Sequence, residues 1–204
     1  MPTQVLVSSR EFRGLALYAF LAVSLVRPSI AGTPVRLSEN SVRIKVPVEK
    51  QETPRQCGLA CAEMIGEFYG QKLSAYIVNN LESVSEAGTG IMGSELLIAF
   101  RAADYDAAVF PGTLDKEKTG LFYHLDKKRP LIVMITAKDM KNSHYDVVTG
   151  YDPFNKLLLI TDPSAGPMTV TTKAFLPAWR RAQFFTLLAV PKKLNTEATP
   201  VPDP

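Results

Sequence analysis

Cys57 is the first residue whose surroundings indicate chemistry. It lies in the stretch QETPRQCGLACAEMIGEFYG (51–70), and from Ala60 onward the apolar residues recur at helical spacing. A cysteine on the first turn of a helix meets unpaired N–H groups and the positive end of the helix dipole, which favour the nucleophilic thiolate. Gln51 lies just before this helix. Its amide N–H and the backbone N–H of Cys57 would together form an oxyanion hole with two donors.

A nucleophile of this kind needs a base, and the chain has two histidines, His124 and His144. His144 begins the apolar, β-branched run HYDVVTGYDP, so we place it at the start of a strand. Asp162 ends the next apolar run, and a hairpin closed by the turn 152–155 brings positions 144 and 162 together. Asp162 can then fix the imidazole tautomer while the other ring nitrogen faces Cys57.

Two other aspartates compete with Asp162 for this role. Asp146 follows His144 by two residues and shares its face of the strand, but we expect it to be poorly placed to reach the outer ring nitrogen. Asp152 lies in the turn of the hairpin. His124 belongs to the segment FYHLDKK, and we expect it to be a surface residue without a role.

Cys61 lies one helical turn after Cys57 and is expected to belong to the core. A disulfide between the two would join Cα atoms about 6 Å apart on one helix, which is barely permissive, and it would disable the nucleophile. We therefore expect the resting protein to keep the Cys57 thiol. The aromatic residues Trp179 and Phe184 are expected to pack under the sheet rather than to bind a ligand.

The combined pattern resembles the C39 peptidases, papain-like cysteine peptidases best known as bacteriocin-processing domains that cut leader peptides after a double glycine. The matching segments are Gln51, Cys57-Gly58-Leu59-Ala60-Cys61, Met64, Phe68-Tyr69-Gly70, Gly93-Ser94 with Leu97, Arg129-Pro130-Leu131-Ile132, HYDVVTGYDP, ITDP and Phe175 to Trp179. The resemblance covers roughly Val46 to Pro191. It departs at Gln56, where the family often has aspartate.

The helices and strands that the sequence pattern predicts around these residues indicate an α+β class. Helices are expected at 57–70, 74–84, 94–103, 118–127 and 173–181, with Ser94 as a cap, and strands at 42–46, 107–110, 131–136, 145–151, 157–161, 168–171 and 184–190. A helical first half and an antiparallel second half define this class. The resemblance implies a papain-like cysteine peptidase fold, with an N-terminal helical lobe packed on a C-terminal antiparallel sheet.

The two ends of the chain differ in composition from the middle. Residues 1–31 match a secretory signal peptide, with Arg10 and Arg13, the apolar run Leu15–Val26, and small residues before a cut after Ala31. An uncleaved N-terminal anchor is the alternative. Residues 32–45 form a lead-in, 46–191 the peptidase-like domain, and 192–204 a disordered tail. The mature protein is then expected to be periplasmic or secreted, with no membrane span.

Composition narrows the class of function. The chain of 204 residues has a formal charge of +3, and its basic residues are scattered, which speaks against a nucleic-acid surface. It shows neither a Gly-rich phosphate loop nor metal-ligand spacing. We therefore expect no cofactor and no metal, and a polypeptide as the partner.

These features predict a cysteine endopeptidase that cleaves a leader or exported polypeptide. By resemblance, the cut would follow small residues, often Gly-Gly. The signal peptide suggests work outside the inner membrane, in a bacterial export or surface-fibre system such as functional-amyloid secretion. Two alternatives remain: a docking module that binds export substrates without cutting them, and acyl transfer or amide hydrolysis on a wall peptide.

Overall fold

Six helices and seven strands form the part of the chain that the computed structural model describes, residues 36–88, 90–138 and 143–197. The helices are α1 (Cys57–Tyr69), α2 (Ala75–Ala87), α3 (Gly93–Ala102), α4 (Leu121–Asp126), α5 (Thr172–Arg181) and α6 (Lys192–Glu197). The strands are β1 (Val42–Arg43), β2 (Tyr105–Pro111), β3 (Leu131–Ile135), β4 (His144–Asp152), β5 (Leu157–Asp162), β6 (Gly166–Thr171) and β7 (Phe185–Pro191). The predicted signal peptide lies outside the described residues.

The strands form one antiparallel sheet in the order β2-β7-β3-β4-β5-β6, and β1 pairs with β4. The predicted hairpin is present as β4 and β5, which pair from Val147 with Thr161 to Asp152 with Leu157. Helices dominate the first half of the chain and the sheet the second, so the predicted α+β class is confirmed. No helix among the described residues is long and apolar enough to cross a bilayer.

Helix α1 lies buried against β4 at the centre of the molecule. All but one of its residues from Cys57 to Gly66 are buried. The helix ends at Gly70, which adopts the left-handed conformation that glycine tolerates best. Cys61 is fully buried, as predicted, and both cysteines are free thiols. Small residues along this helix allow its backbone to approach the sheet closely.

The core continues under the far side of the sheet. Trp179 of α5 is fully buried and its indole N–H donates to the backbone oxygen of Phe185 at 3.0 Å. Phe184 is half-buried and packs edge-on against the Trp179 ring. Both aromatic residues therefore belong to the packing of the fold, as predicted.

Two local predictions are corrected. Helix α3 begins at Gly93, so Ser94 does not cap it; instead Glu95 turns back and accepts the backbone N–H of Met92 at 2.6 Å. The tail predicted to be disordered begins with α6. The ammonium of Lys192 bonds the carboxylate of Asp104 at 2.9 Å and so ties the start of this helix to the loop before β2.

His124 is buried rather than exposed, contrary to the prediction. Helix α4 turns its ring inward, where Nε2 lies 3.0 Å from the backbone oxygen of Lys118 and the ring packs against Phe110. Burial lowers the pKa of this imidazole. Its partners lie on β2 and the loop before α4, so His124 serves the packing of this corner.

Candidate active site

Cys57 is the first residue of α1 and is buried at 6% exposure. A Cβ on Gly58 would lie 3.3 Å from the Tyr145 ring and 3.3 Å from Cβ of Ile91, so a larger residue there would force these neighbours or α1 to shift. The approach brings the Cys57 thiol to the backbone of Tyr145, which is hydrogen-bonded to it. The nucleophile predicted from sequence therefore lies beside the residue that follows His144.

The thiol of Cys57 is not activated by its position alone. Burial raises its pKa, while hydrogen bonds from the backbone of Tyr145 and Gly58 lower it, and the charge of Asp146 adds a smaller increase. The net pKa lies above the ordinary value, so the expectation that the helix start favours a resting thiolate is corrected. A reaction at Cys57 needs a base that removes its proton.

His144 and Asp162 come together at the open end of the β4–β5 hairpin, as the turn geometry predicted. Nε2 of His144 lies 3.2 Å from Oδ1 of Asp162. Burial raises the pKa of Asp162, but hydrogen bonds from Ser164 and the nearby His144 outweigh it, so the net pKa is below the usual range. Asp162 is thus an ionised acceptor for the imidazole.

Asp146 also lies near the outer nitrogen of His144. Its Oδ1 atom is 3.6 Å from Nε2 of His144, and its side chain is 1% exposed. Burial and, to a smaller extent, the nearby charge of Asp162 together raise the pKa of Asp146 to about 7. At this distance Asp146 makes no hydrogen bond to the ring, as expected, and Asp162 is the carboxylate that bonds it.

Gln51 is anchored at the same corner by its backbone, whose N–H donates to Pro163 at 3.0 Å. Its side-chain amide donates to the backbone oxygen of Thr53 at 3.0 Å, and its Oε1 atom is buried without a partner among the described residues. The predicted oxyanion donor is thus placed before α1, with one amide hydrogen used inside its own loop.

Gln56 braces the loop that connects Gln51 to the nucleophile, a role that sequence reasoning missed. Its Oε1 accepts the backbone N–H of Thr53 at 3.0 Å, and its own N–H donates to the backbone oxygen of Thr53 at 3.1 Å. The side chain is buried.

A groove of about 630 Å³ opens beside Cys57. Its walls are mixed: apolar side chains come from Ile91, Met92, Met134, Tyr145 and Phe185, and polar ones from Arg55, Ser94 and Ser143. Gly93 forms part of the same wall, and a Cβ there would overlap the Phe185 ring. The groove lies between the Cys57 thiol and the start of α3, so a segment of a polypeptide can lie beside the thiol.

The ligating atoms of His144, Asp146 and Asp162 lie within 4.8 Å of one another, the spacing a metal ion needs, and they are the one such group in the ranges that the structure describes. One of these contacts is already a hydrogen bond between an imidazole and an ionised carboxylate. We therefore interpret the group as a base with its acids rather than as a metal centre.

The fold is that of the papain-like cysteine peptidases, in which a cysteine at a helix start faces a sheet that carries the histidine. The chain belongs to the peptidase C39 family, whose model matches residues 45–192. Cys57, His144 and Asp162 lie within this range.

Individual relatives support this assignment. The chain is 27% identical over 135 residues to the lactococcin-G-processing and transport ATP-binding protein LagD of Lactococcus lactis subsp. lactis, covering 66% of this chain and 18% of that protein. The chain thus spans about a fifth of the length of this curated relative.

Two solved structures share the fold. A double glycine motif protease from an AMS/PCAT transporter, in complex with the leader peptide, superposes with a TM-score of 0.58 at 22% identity, over 77% of this chain and 99% of that one. A C39-like peptidase from Bacillus anthracis gives a TM-score of 0.61 at 18% identity, over 74% and 98%.

Proposed function

We propose that this protein is a cysteine endopeptidase that cleaves a leader or exported polypeptide after small residues such as Gly-Gly. The observation that carries the proposal is the hydrogen bond between His144 and the ionised Asp162, close to the Cys57 thiol. Tyr145, the residue after His144 on β4, is hydrogen-bonded to that thiol through its backbone. Family membership and the leader peptide bound to the AMS/PCAT protease support the substrate class.

The chemistry follows from these groups. His144 takes the proton of Cys57, and the sulfur attacks the carbonyl carbon of the scissile bond. The oxygen of the resulting tetrahedral species is stabilised by the backbone N–H of Cys57 and by the amide of Gln51. His144 then protonates the leaving amine. In the second half, a water molecule gives a proton to His144 and attacks the thioester, which releases the acid and restores the thiol.

The side of the membrane on which this occurs is also a proposal. The pattern of residues 1–31 supports export, so the enzyme would act in the periplasm or outside the cell, within an export or surface-fibre system. The expected outcome of deleting its gene is a client polypeptide that accumulates unprocessed or unexported. A client population that stays unchanged would contradict this context.

The experiment that tests the activity uses a peptide with a Gly-Gly pair followed by a short cargo, and mass spectrometry of the products. The expected result is cleavage after the pair by the wild type and none by Cys57→Ala, with nearly equal thermal melts. A matched peptide with both glycines changed to leucine should stay intact. Cleavage that survives in Cys57→Ala would overturn the proposal.

The second candidate is a docking module that binds export substrates without cutting them. Two observations favour it: the raised pKa of Cys57 and the bond that Gln51 makes inside its own loop. Titrating the same peptide while watching both binding and cleavage separates the candidates. Tight binding of an intact peptide by the wild type would favour the docking module, and turnover would exclude it.

A further inference from the structure

The acceptor that holds His144 is crowded with donors. Oδ1 of Asp162 accepts the backbone N–H and the hydroxyl of Ser164, both at 2.6 Å, and the backbone N–H of Ala165 at 3.2 Å. The same oxygen lies 3.2 Å from Nε2 of His144. A carboxylate oxygen offers about two lone pairs to these donors. The imidazole therefore competes with the turn after β5 for its acceptor.

A second carboxylate faces the same ring nitrogen and has no such competition. Oδ1 of Asp146 is 3.6 Å from Nε2 of His144 and is buried without a hydrogen-bond partner among the described residues. The strand register explains the placement, because Val147 pairs with Thr161 and the next position sets Asp146 opposite Asp162. Nε2 thus lies between one crowded acceptor and one empty acceptor.

We propose that Asp146 is a positioning residue for His144, the acceptor toward which the Nε2–H turns when the imidazole takes the proton of Cys57. The inference rests on the proposed function, since it requires that proton transfer. A small rotation of the ring shortens the 3.6 Å separation to a hydrogen bond. An unpartnered buried oxygen gains most from such a bond, because it has none to lose.

The groups that face Asp146 are Asp162 from β5, His144 from its own strand, and the two thiols of Cys57 and Cys61 from α1. On β3 its partner is the uncharged Val133. Burial, with Asp162 adding to it, raises the pKa of Asp146 to about 7. The ionised form stabilises an imidazolium, so formation of the thiolate–imidazolium pair should increase as the pH rises through about 7.

The test measures the rate at which iodoacetamide alkylates Cys57 in the full chain, mapped by mass spectrometry, from about pH 5 to pH 9. The wild-type rate should show a step near pH 7 that Asp146→Asn lacks. Above that step the variant should react roughly 10- to 100-fold more slowly, the range for a hydrogen bond to a charged group. Glu86→Gln, on the exposed end of α2, is the matched change of a carboxylate to an amide and should follow the wild type.

Two further variants make the result decisive. Asp146→Ser is neutral and smaller, and it gives the same readout if the asparagine variant does not fold, as judged by circular dichroism. If the pH profile of the alkylation rate in either Asp146 variant follows that of the wild type while His144→Ala reacts slowly, this inference is wrong and the proposed function stands. Labelling of His144→Ala at the wild-type rate would overturn the proposed function and this inference together.

Discussion

At the scale of single residues, the nucleophile depends on its neighbours for its charge. Burial holds the Cys57 pKa above its ordinary value, and the backbone donors near the helix start only partly offset this. In the proposed mechanism the thiol therefore stays protonated until His144 accepts its proton. A protonated thiol reacts more slowly with alkylating agents than a thiolate, because the thiolate is the reactive form.

Gln51 is the residue whose catalytic contribution can be measured most directly. If its amide supplies one of two donors to the oxyanion, Gln51→Ala should lower kcat about 10²- to 10³-fold with little change in KM. The reason is that the bond is made in the transition state and not with the bound substrate. Steady-state kinetics on the Gly-Gly peptide measure both constants.

The control for this variant is Gln71→Ala, which removes an amide bond of 2.7 Å to the backbone oxygen of Ala103, away from Cys57. It should leave kcat near the wild-type value. If Gln51→Ala instead raised KM and left kcat unchanged, the side chain would only brace its loop through Thr53, and the oxyanion role would be wrong.

At the scale of elements, one hairpin and one helix start assemble the site. Strands β4 and β5 supply His144, Asp146 and Asp162 from a single face, and α1 brings Cys57 against that face. The helix can approach because Gly58 has no side chain where Tyr145 and Ile91 lie. The distance between nucleophile and base is therefore set by the packing of α1 on β4.

Gly58→Val tests this packing. A Cβ would already lie 3.3 Å from the Tyr145 ring, so the added methyl groups must push α1 away from β4. We expect a loss of about 1–3 kcal/mol in the free energy of unfolding, the usual range for overpacking, together with slower alkylation of Cys57. Urea denaturation and the alkylation assay measure the two effects.

The exposed Ala102→Val, at the end of α3, is the control and should change the free energy of unfolding by less than about 0.5 kcal/mol. An unchanged stability and alkylation rate in Gly58→Val would show that α1 can shift without consequence. The close approach would then not set the geometry of the site.

The sequence predicted those parts of the site that local patterns determine. The start of α1, the hairpin turn and the pairing of positions 144 and 162 follow from helical spacing, turn residues and strand alternation. The environments of His124 and Asp146 could not be derived in this way. Their burial depends on Phe110 and Asp162, which come from other elements, and the crowding at Asp162 depends on a turn whose donors the pattern does not specify.

At the scale of the whole molecule, Asp152 joins the N-terminal lead-in to the central hairpin. Its buried carboxylate accepts the backbone N–H and the hydroxyl of Ser38, both at 2.7 Å, and donors from Phe154 and Asn155 in the turn. These bonds outweigh desolvation and hold the pKa of Asp152 well below its ordinary value. The lead-in is thereby fixed beside β4, just ahead of the loop that carries Gln51.

The depressed pKa of Asp152 sets the sign of its effect on stability. An aspartate of this kind contributes stability above its unfolded pKa of about 3.9, and the contribution is lost as the pH falls toward the folded pKa. Asp152→Ala should therefore be less stable than the wild type at pH 7, and the difference should shrink below about pH 3. Urea unfolding across this range measures it, and a difference independent of pH would show that packing, and not charge, is responsible.

Asp146 should have the opposite effect on the whole molecule. Its folded pKa of about 7 exceeds its unfolded value, so the folded state holds the extra proton between them and stability falls as the pH rises through that window. The cost above pH 7 is about 4 kcal/mol, from roughly three pKa units at 1.36 kcal/mol each. Asp146→Asn is neutral at every pH, so its stability relative to the wild type should rise between pH 5 and pH 8. Urea unfolding at both pH values measures this difference.

Glu86→Gln is the control and should show no such gain. A stability difference between Asp146→Asn and the wild type that is the same at both pH values would mean that the carboxyl group ionises normally. A gain in stability combined with slower alkylation of Cys57 would mean that the buried charge is retained for the reaction at the expense of the fold.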